Sequence, residues 1–195
     1  MQPGPSGAHI VQLLQRLQMT WLLTHLPPKL VRAAYMLVNG FITIALLAIL
    51  AAITGNPFVF PSLGPTAYLF FFTPLADAAT PRNAILGHAI ALACGFGAFS
   101  AAGLGYFQNG FPAHLFWPRV LAAALSLSAT GAIMVLLDIN HPPAGATTLI
   151  VSLGIIAQPR LLPIIEAAVV LLTLQAFVIN RLAGIPYPLW DRAPR

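Results

Sequence analysis

Four long apolar stretches, joined by short connections, most limit how this chain can fold. They cover residues 33–53, 83–107, 120–137 and 161–180. About 20 helical residues cross the roughly 30 Å hydrocarbon core of a bilayer, so each stretch predicts one transmembrane helix. The chain has nine Lys and Arg and four Asp and Glu among 195 residues, too few to solvate the surface of a soluble domain. We therefore expect a single all-α membrane domain.

Two further apolar segments, residues 57–72 and 141–156, contain prolines and glycines and are short for a full crossing. A shift of 81 positions places P-S-L-G-P-T, which starts at Pro61, over P-P-A-G-A-T, which starts at Pro142. This match predicts two repeats, each made of a span, a broken segment and a span. The predicted fold is a helical bundle of four full spans plus two short Pro/Gly-broken, re-entrant or half-helix segments.

The domain organisation follows from these repeats. We predict an N-terminal tail with an interfacial amphipathic helix, a transmembrane domain of two repeats and a C-terminal cytoplasmic tail, over residues 1–32, 33–180 (repeats 33–107 and 114–180) and 181–195. The tail helix covers residues 9–25, where apolar residues recur at helical spacing opposite a glutamine-rich face.

The number of crossings stays open at this point. Re-entrant segments would make four crossings, whereas broken segments that traverse the membrane would make six. The first arrangement places Arg82 opposite the termini, and the second places Arg119 there. In both cases seven of the nine basic residues share the side of the termini. Because cytoplasmic loops carry the excess of Lys and Arg, both termini are predicted to be cytoplasmic.

The broken segments also indicate where a ligand would bind. Proline and glycine interrupt a regular helix, and the residues after them can start a half-helix at membrane depth. Free amides and the positive end of the helix dipole at such a start favour an anion. The candidate substrate-binding residues are His141, Pro142, Pro143, Gly145, Thr147, Gly64, Thr66, Arg82 and His88.

Three of these side chains are ionisable or charged, and their roles differ with depth. His141 precedes a proline and either contacts a proton or an anion or hydrogen-bonds the turn. Arg82 is either an oxyanion contact or an ordinary interfacial arginine. His88 lies deeper in the second span, so its side chain is expected to face the bundle interior.

Two acidic residues need an explanation. Glu166 lies inside the fourth predicted span, where an unpaired carboxylate is costly. We predict a structural pair with Arg82 or Arg160, and proton coupling is the alternative. Asp138, three residues before His141, either neutralises that histidine or ends the third span.

Two motifs carry a family resemblance. H-P-P-A-G-A-T, starting at His141, resembles the signature of the HPP family of integral membrane proteins, and T-P-R-N-A-I-L-G-H, starting at Thr80, resembles its second recurring motif. The resemblance implies a small transmembrane transporter, with plant and cyanobacterial relatives linked to nitrite movement. We therefore expect a transporter or channel for a small inorganic anion, with nitrite as the candidate. The alternative is a non-catalytic membrane scaffold or sensor subunit.

Other functional classes have little support. The four acidic residues are scattered one by one, so we do not expect an enzyme. Cys94 is the single cysteine and no Cys or His lies at metal-finger spacing, so we expect no disulfide and no structural zinc. We expect no other metal and no cofactor. The basic residues are spread over the ends of apolar stretches, which does not favour nucleic acid. The expected partners are the lipid bilayer, a small anion and a second copy of the chain in a homo-oligomer, with a dimer as the first assumption. No transit-like sequence begins the chain, so we predict a multi-pass protein of a bacterial inner membrane.

Overall fold

The computed structural model describes residues 18–106 and 116–191. These residues form α-helices joined by short turns, which confirms the all-α prediction. The helices are α1 Met19–His25, α2 Pro28–Thr54, α3 Leu63–Phe72, α4 Pro81–Ala101, α5 Trp117–Leu136, α6 Ala144–Ser152 and α7 Leu162–Leu182, with short 3-10 helices at Asp77–Ala79 and Pro159–Leu161. Of the predicted interfacial helix, α1 is described, and residues 9–17 lie outside the described part of the chain.

Four helices, α2, α4, α5 and α7, are long and apolar enough to cross a membrane, as predicted. Each carries a proline in its first turn. A proline is tolerated there because its missing N–H would have no intrahelical partner. At α4 the start is also capped, since the hydroxyl of Thr80 accepts a hydrogen bond from the amide of Asn83. The spans therefore begin where local sequence chemistry lets a helix begin.

The broken segments form half-helices. Helices α3 and α6 have 10 and 9 residues, which makes them about 15 and 14 Å long and about half of a membrane crossing. Non-helical residues precede each of them, at 55–62 and 137–143. The prolines and glycines that suggested interrupted helices from the sequence lie in or next to these non-helical stretches.

One end of the bundle, here called the terminal end, gathers the first and last described helices. The amide of Met19 donates to the carbonyl of Ala183 at 2.9 Å. The hydroxyl of Tyr35, early in α2, donates to the side-chain oxygen of Asn180, late in α7, at 2.8 Å. The side chain of Asn180 also donates to the carbonyl of Phe70 at 3.0 Å. The start of α2, the end of α7 and the end of α3 therefore lie together.

The contacts of two arginines show at which end of the bundle α4, α5 and α6 begin or end. The backbone amide of Arg82 donates to the carbonyl of Trp190, and its guanidinium donates to the carbonyls of Leu137 and Asp138 at 3.0 Å each. The start of α4 and the end of α5 therefore also lie at the terminal end. At the opposite, far end, Arg119 at the start of α5 donates to the carbonyls that follow α4 and α6, those of Gly105 and Leu153.

The chain therefore passes between the two ends of the bundle six times. Helix α2 leads to the far end, residues 55–62 and α3 return, and α4 leads to the far end again. In the second half α5, then residues 137–143 with α6, then α7 make three further passes. An odd number of passes per half inverts one repeat relative to the other, as in many transporters. A shift of 81 positions carries the bounds of α4 onto those of α7.

The prediction for Glu166 is wrong. Both carboxylate oxygens of Glu166 are buried and have no hydrogen-bond partner among the described residues. Arg160 instead donates to the side chain of Gln158, and Arg82 pairs with Asp191 at 3.6 Å. The inversion explains the missing contact with Arg82, because it places Arg82 at the terminal end, whereas Glu166 lies just inside the far end of α7. A proton-coupling role for Glu166 stays a prediction.

Asp138 ends the third span. Its backbone has a φ of +50° just after α5, a left-handed conformation that Asp adopts more readily than most residues. Its carbonyl accepts from Arg82. The ring of His141 has other hydrogen-bond partners, described below, so of the two roles considered for Asp138 the structure supports the end of the helix.

Candidate functional site

The starts of the two half-helices meet inside the bundle. Ser62, the residue before α3, and Thr147, in the first turn of α6, have hydroxyl oxygens 2.6 Å apart. Both side chains are buried, at 0% and 1% exposure. Because α3 runs toward the terminal end and α6 toward the far end, their N-termini face each other. The positive ends of two helix dipoles therefore lie close together.

His88 connects the two half-helices. Its Nδ1 lies 2.7 Å from the hydroxyl of Thr147, and its Nε2 lies 3.1 Å from the hydroxyl of Thr66. Thr66 and Thr147 are equivalent positions of the two repeats. The imidazole lies seven residues into α4, about 10 Å along it by helical rise, and is fully buried. The prediction that His88 faces the bundle interior is confirmed.

His141 extends the same network. Its Nε2 lies 3.2 Å from the hydroxyl of Thr66, and its Nδ1 donates to the carbonyl of Ala78 at 2.8 Å. Its ring centroid is 5.0 Å from that of His88. Five buried side chains, from Ser62, Thr66, His88, His141 and Thr147, thus form one continuous hydrogen-bonded group, here called the junction cluster.

Two glycines of α4 let α6 and the preceding residues 141–143 come close enough to form this cluster. A Cβ atom added to Gly87 would lie 3.0 Å from the Cβ of His141 and 3.5 Å from that of Ala144. A Cβ added to Gly95 would lie 2.7 Å from the carbonyl oxygen of Thr148. Small residues at such crossings allow backbones to approach within membrane bundles. The position of His141 therefore depends on the glycines of the neighbouring helix.

The prediction of free amides at the start of α6 is wrong. The amides of Ala144, Gly145 and Ala146 donate to the carbonyls three residues earlier, at 3.0 to 3.1 Å. The His-Pro-Pro sequence folds as a tight turn, and its carbonyls satisfy the first-turn amides, which would otherwise be left without partners. The junction cluster consequently offers side-chain groups, and the backbone contributes through the helix dipoles.

The structure does not bring every predicted site residue into the junction cluster. Pro142 and Pro143 lie with Pro65 along a shallow apolar groove of about 330 Å³. Gly64 is exposed, and a Cβ added there would meet nothing within 4 Å. Gly145 faces Leu127 of α5, 3.3 Å from an added Cβ.

Arg82 lies at the terminal end, where its guanidinium bonds carbonyls at the end of α5. Its role as an oxyanion contact therefore rests on the sequence alone, and the structure gives it a role in joining two helices.

One member of the cluster and one of its hydrogen-bond partners were not predicted. Ser62 belongs to the repeated motif, but its partner Thr147 is 85 residues away, and only the inverted arrangement brings them together. Ala78 contributes a backbone carbonyl, for which the sequence carries no signal. Among residues 18–106 and 116–191, no three His, Cys, Asp or Glu side chains group as metal ligands.

Comparison with known proteins agrees with the motifs. A family model described as HPP, transmembrane region, matches residues 25–188. A transmembrane protein of Dictyostelium discoideum is 31% identical over 135 residues, which cover 66% of this chain and 44% of that protein. The chain thus spans less than half the length of this curated relative. No solved structure matches. The family match covers both half-helices and all four long spans, so the chain belongs to the HPP family of integral membrane proteins.

Proposed function

We propose that this protein carries a small inorganic anion across the membrane and that the anion binds at the junction cluster. The main support for this proposal is the junction cluster. Its five polar side chains are exposed by no more than 1% and lie between the positive ends of α3 and α6. Polar groups buried in a membrane bundle are costly and usually serve a pathway or a binding site.

The chemistry of the junction cluster suits an anion. Hydroxyl and imidazole groups can donate hydrogen bonds, and two helix N-termini add positive potential at the same place. None of the five side chains is a carboxylate that would repel a negative charge. Broken helices whose N-termini point at an anionic group are a recurrent design of transporters built from inverted repeats.

Several finer points remain proposals. Nitrite as the substrate follows from the family resemblance, and the junction chemistry fits nitrate, formate or chloride as well. Cytoplasmic termini follow from the positive-inside rule, which now counts Arg82 on the side of the termini. A bacterial inner membrane and a homo-oligomer are likewise proposals, and the relative described above comes from a eukaryote.

A scaffold or sensor role is the alternative. The burial of the cluster favours it, because all five side chains are exposed by no more than 1%. The polar lining favours transport, because a purely structural junction would be more stable if it were apolar. Flux measurements separate the two.

Uptake by sealed liposomes tests the proposal. Purified protein is reconstituted, and initial uptake of nitrite, nitrate, formate and chloride is measured beside protein-free vesicles. We expect saturable uptake of at least one of these anions. His141→Ala removes the hydrogen bonds of His141 to Thr66 and to the carbonyl of Ala78. It should lower uptake at least about tenfold, the effect of losing about 1.4 kcal/mol of binding or transition-state free energy.

His25→Ala is the matched control, because His25 lies on the exposed α1 and bonds the carbonyl of Trp21, away from the junction. This variant should transport like the parent protein. Folded, inserted protein that moves none of the four anions would refute the proposal and favour the scaffold role.

A further inference from the structure

The hydrogen bonds of the junction cluster have one consistent direction when each imidazole carries a single proton. The carbonyl of Ala78 can only accept, so Nδ1 of His141 holds the proton and its Nε2 is an acceptor. The hydroxyl of Thr66 then donates to this Nε2 and accepts from Nε2 of His88.

The remaining directions follow. Nδ1 of His88 is the acceptor of that ring, so the hydroxyl of Thr147 donates to it. Thr147 in turn accepts from the hydroxyl of Ser62. Each group of the cluster has a partner in this arrangement, so the network is complete without an added proton.

The same cluster has room for one more proton. A proton bound at Nε2 of His141 would turn that atom into a donor to the hydroxyl of Thr66. Thr66 has a second acceptor for its own hydrogen, the carbonyl of Ser62 at 3.0 Å. Rotation of a single hydroxyl therefore accommodates the proton, and every hydrogen bond between the cluster members keeps both of its partners.

We propose that His141, with Thr66 as its switching hydroxyl, is a proton-binding site and that the anion is transported together with a proton. The proposal rests on the anion transport proposed above and adds the coupling ion. No bond other than O–H and N–H is made or broken. One proton binds at Nε2 of His141 on one side of the membrane and leaves from the same atom on the other.

His141 suits the added proton better than His88. A second proton on His88 would make Nδ1 a donor to Thr147, and the hydrogen of Thr147 would then compete with that of Ser62 for the short contact between their hydroxyls. One hydrogen-bond partner of His141, Ala78, is half-buried and adjoins the exposed Asp77 at the terminal end, whereas Thr66 and Thr147, the partners of His88, are both buried.

Among residues 18–106 and 116–191, neither histidine of the pair has a carboxylate as a hydrogen-bond or ion-pair partner. The two rings face each other. Asp77 bonds Asn83, and Arg82 bonds carbonyls, Asn83 and Asp191. The carbonyl of Asp138 receives Arg82.

The other packed helices contribute ionisable groups elsewhere. Tyr68 of α3 stacks on Phe72, Arg119 of α5 bonds carbonyls at the far end, and Glu166 of α7 lies near that end too. Helix α6 has no charged residue.

The position of His141 near the two helix N-termini couples proton binding to anion binding. An imidazolium between two positive helix ends is unfavourable alone, and a bound anion offsets that repulsion. Each ligand should therefore raise the affinity for the other by the same factor, as thermodynamic linkage requires. Typical couplings are about 5- to 150-fold, so we expect the half-saturating anion concentration to fall at least about fivefold between pH 8 and pH 6.

Proton and anion movement are measured in the same proteoliposomes. A trapped pH-sensitive dye reports internal acidification while nitrate and nitrite uptake are assayed chemically, and protein-free vesicles correct for leakage of the undissociated acid. We expect acidification that scales with anion uptake. Thr66→Val, which removes the switching hydroxyl, should cut acidification per anion at least about tenfold, and Thr66→Ser should restore it. Thr148→Val, at a buried hydroxyl without a partner in the described residues, should behave like the parent.

Anion uptake without acidification would overturn the proposal, and so would unchanged coupling in Thr66→Val. A transport-independent readout is the 15N spectrum of the histidine rings in detergent, assigned with His141→Ala. The site is supported if His141 gains a second proton and does so at a higher pH when nitrate is present. If His141 binds this proton and no anion is transported, the proposed function fails and the proton site stands. If anions are transported but the ring of His141 never gains a second proton, the proton site is refuted and the proposed anion transport stands.

Discussion

The two repeats share a backbone plan but differ in the chemistry they place at the junction. Thr66 and Thr147 are equivalent, and both contact the same imidazole. His141, however, stands where the first repeat has Phe60, and the first repeat's His88 stands where the second has Val169. The scaffold is thus nearly two-fold, whereas the ionisable groups are not. Each repeat supplies one histidine, and the two histidines occupy non-equivalent positions.

This difference shows how an inverted repeat can gain direction. In the proposed function, a symmetric pair of half-helices would give the anion one shared binding place and would favour neither end of the bundle. The carbonyl of Ala78 accepts from His141 and lies at the terminal end, so the polar chain leads from the half-helix starts toward that end. In the proposed function, the difference between the two ends of the transport path would therefore come from a few side chains, because the backbones of the two repeats are related by the inversion.

The largest expected effect on stability is at a helix–helix contact that differs between the two repeats. Gly95 of α4 corresponds to the buried Ala176 of α7, so one crossing excludes a Cβ atom and the other contains it. Gly95→Ala would place its Cβ 2.7 Å from a backbone carbonyl. Because neither backbone can yield easily, we expect a loss of about 3 kcal/mol of unfolding free energy, the upper part of the range for overpacking, measured by chemical denaturation in detergent.

Gly97→Ala, on the same helix, is the matched control. A Cβ there meets nothing within 4 Å, so stability should stay the same or rise by up to about 1 kcal/mol from helix propensity. Equal effects at the two glycines would show that α4 and α6 do not cross as closely as described.

Removing the shared threonine hydroxyls should have an intermediate effect. Thr66→Val and Thr147→Val each leave a nitrogen of His88 without its partner. We expect each to cost about 0.6–1.7 kcal/mol, the average and the maximum for hydrogen bonds between helices of a membrane protein. Because both variants act on one imidazole, the double variant should deviate from additivity by at least about 0.5 kcal/mol, in the same denaturation assay.

Thr148→Val controls for the change of a buried threonine to valine, since its hydroxyl has no partner among the described residues. It should be close to neutral. Strict additivity of the first two substitutions would mean that His88 does not join the repeats energetically.

The smallest expected effects lie at the terminal end, outside the repeat symmetry. Arg82 joins α4 to the end of α5, and its equivalent in the second repeat is Pro163. Arg82→Gln should cost about 1 kcal/mol, since its bonds to carbonyls are partly solvated. Asp191→Asn should cost less than about 0.5 kcal/mol, because the exposed ion pair is screened. A larger effect for Asp191 than for Arg82 in a denaturation series would contradict this order.

Much of the fold could be predicted because it depends on local rules. Apolar length predicted the four spans, and prolines with glycines predicted the half-helices. The number of passes could not be predicted, because counting basic residues gives the same excess for four and for six. It became clear from contacts such as that between Arg82 and Asp138, residues 56 positions apart.

The site was predictable in part for a similar reason. His88 stood out as an ionisable residue at depth, and Thr66 and Thr147 stood out as equivalent motif positions. The role of Ala78 could not be predicted, since any residue can present a carbonyl. Glu166 was misassigned because the pairing assumed that the starts of α4 and α7 lie at the same end, whereas the inverted repeats place them at opposite ends.

The central structural claim, that the half-helices complete six crossings and face each other in inverted repeats, is tested most directly by cysteine labelling. Leu75, after α3, and Ile155, after α6, are 43% and 45% exposed. Each is replaced by cysteine in a Cys94→Ala background and treated with a membrane-impermeant maleimide on intact cells. We expect one position to be labelled and the other to react only after permeabilisation. Labelling of both positions from the same side would contradict it and indicate four crossings with re-entrant segments.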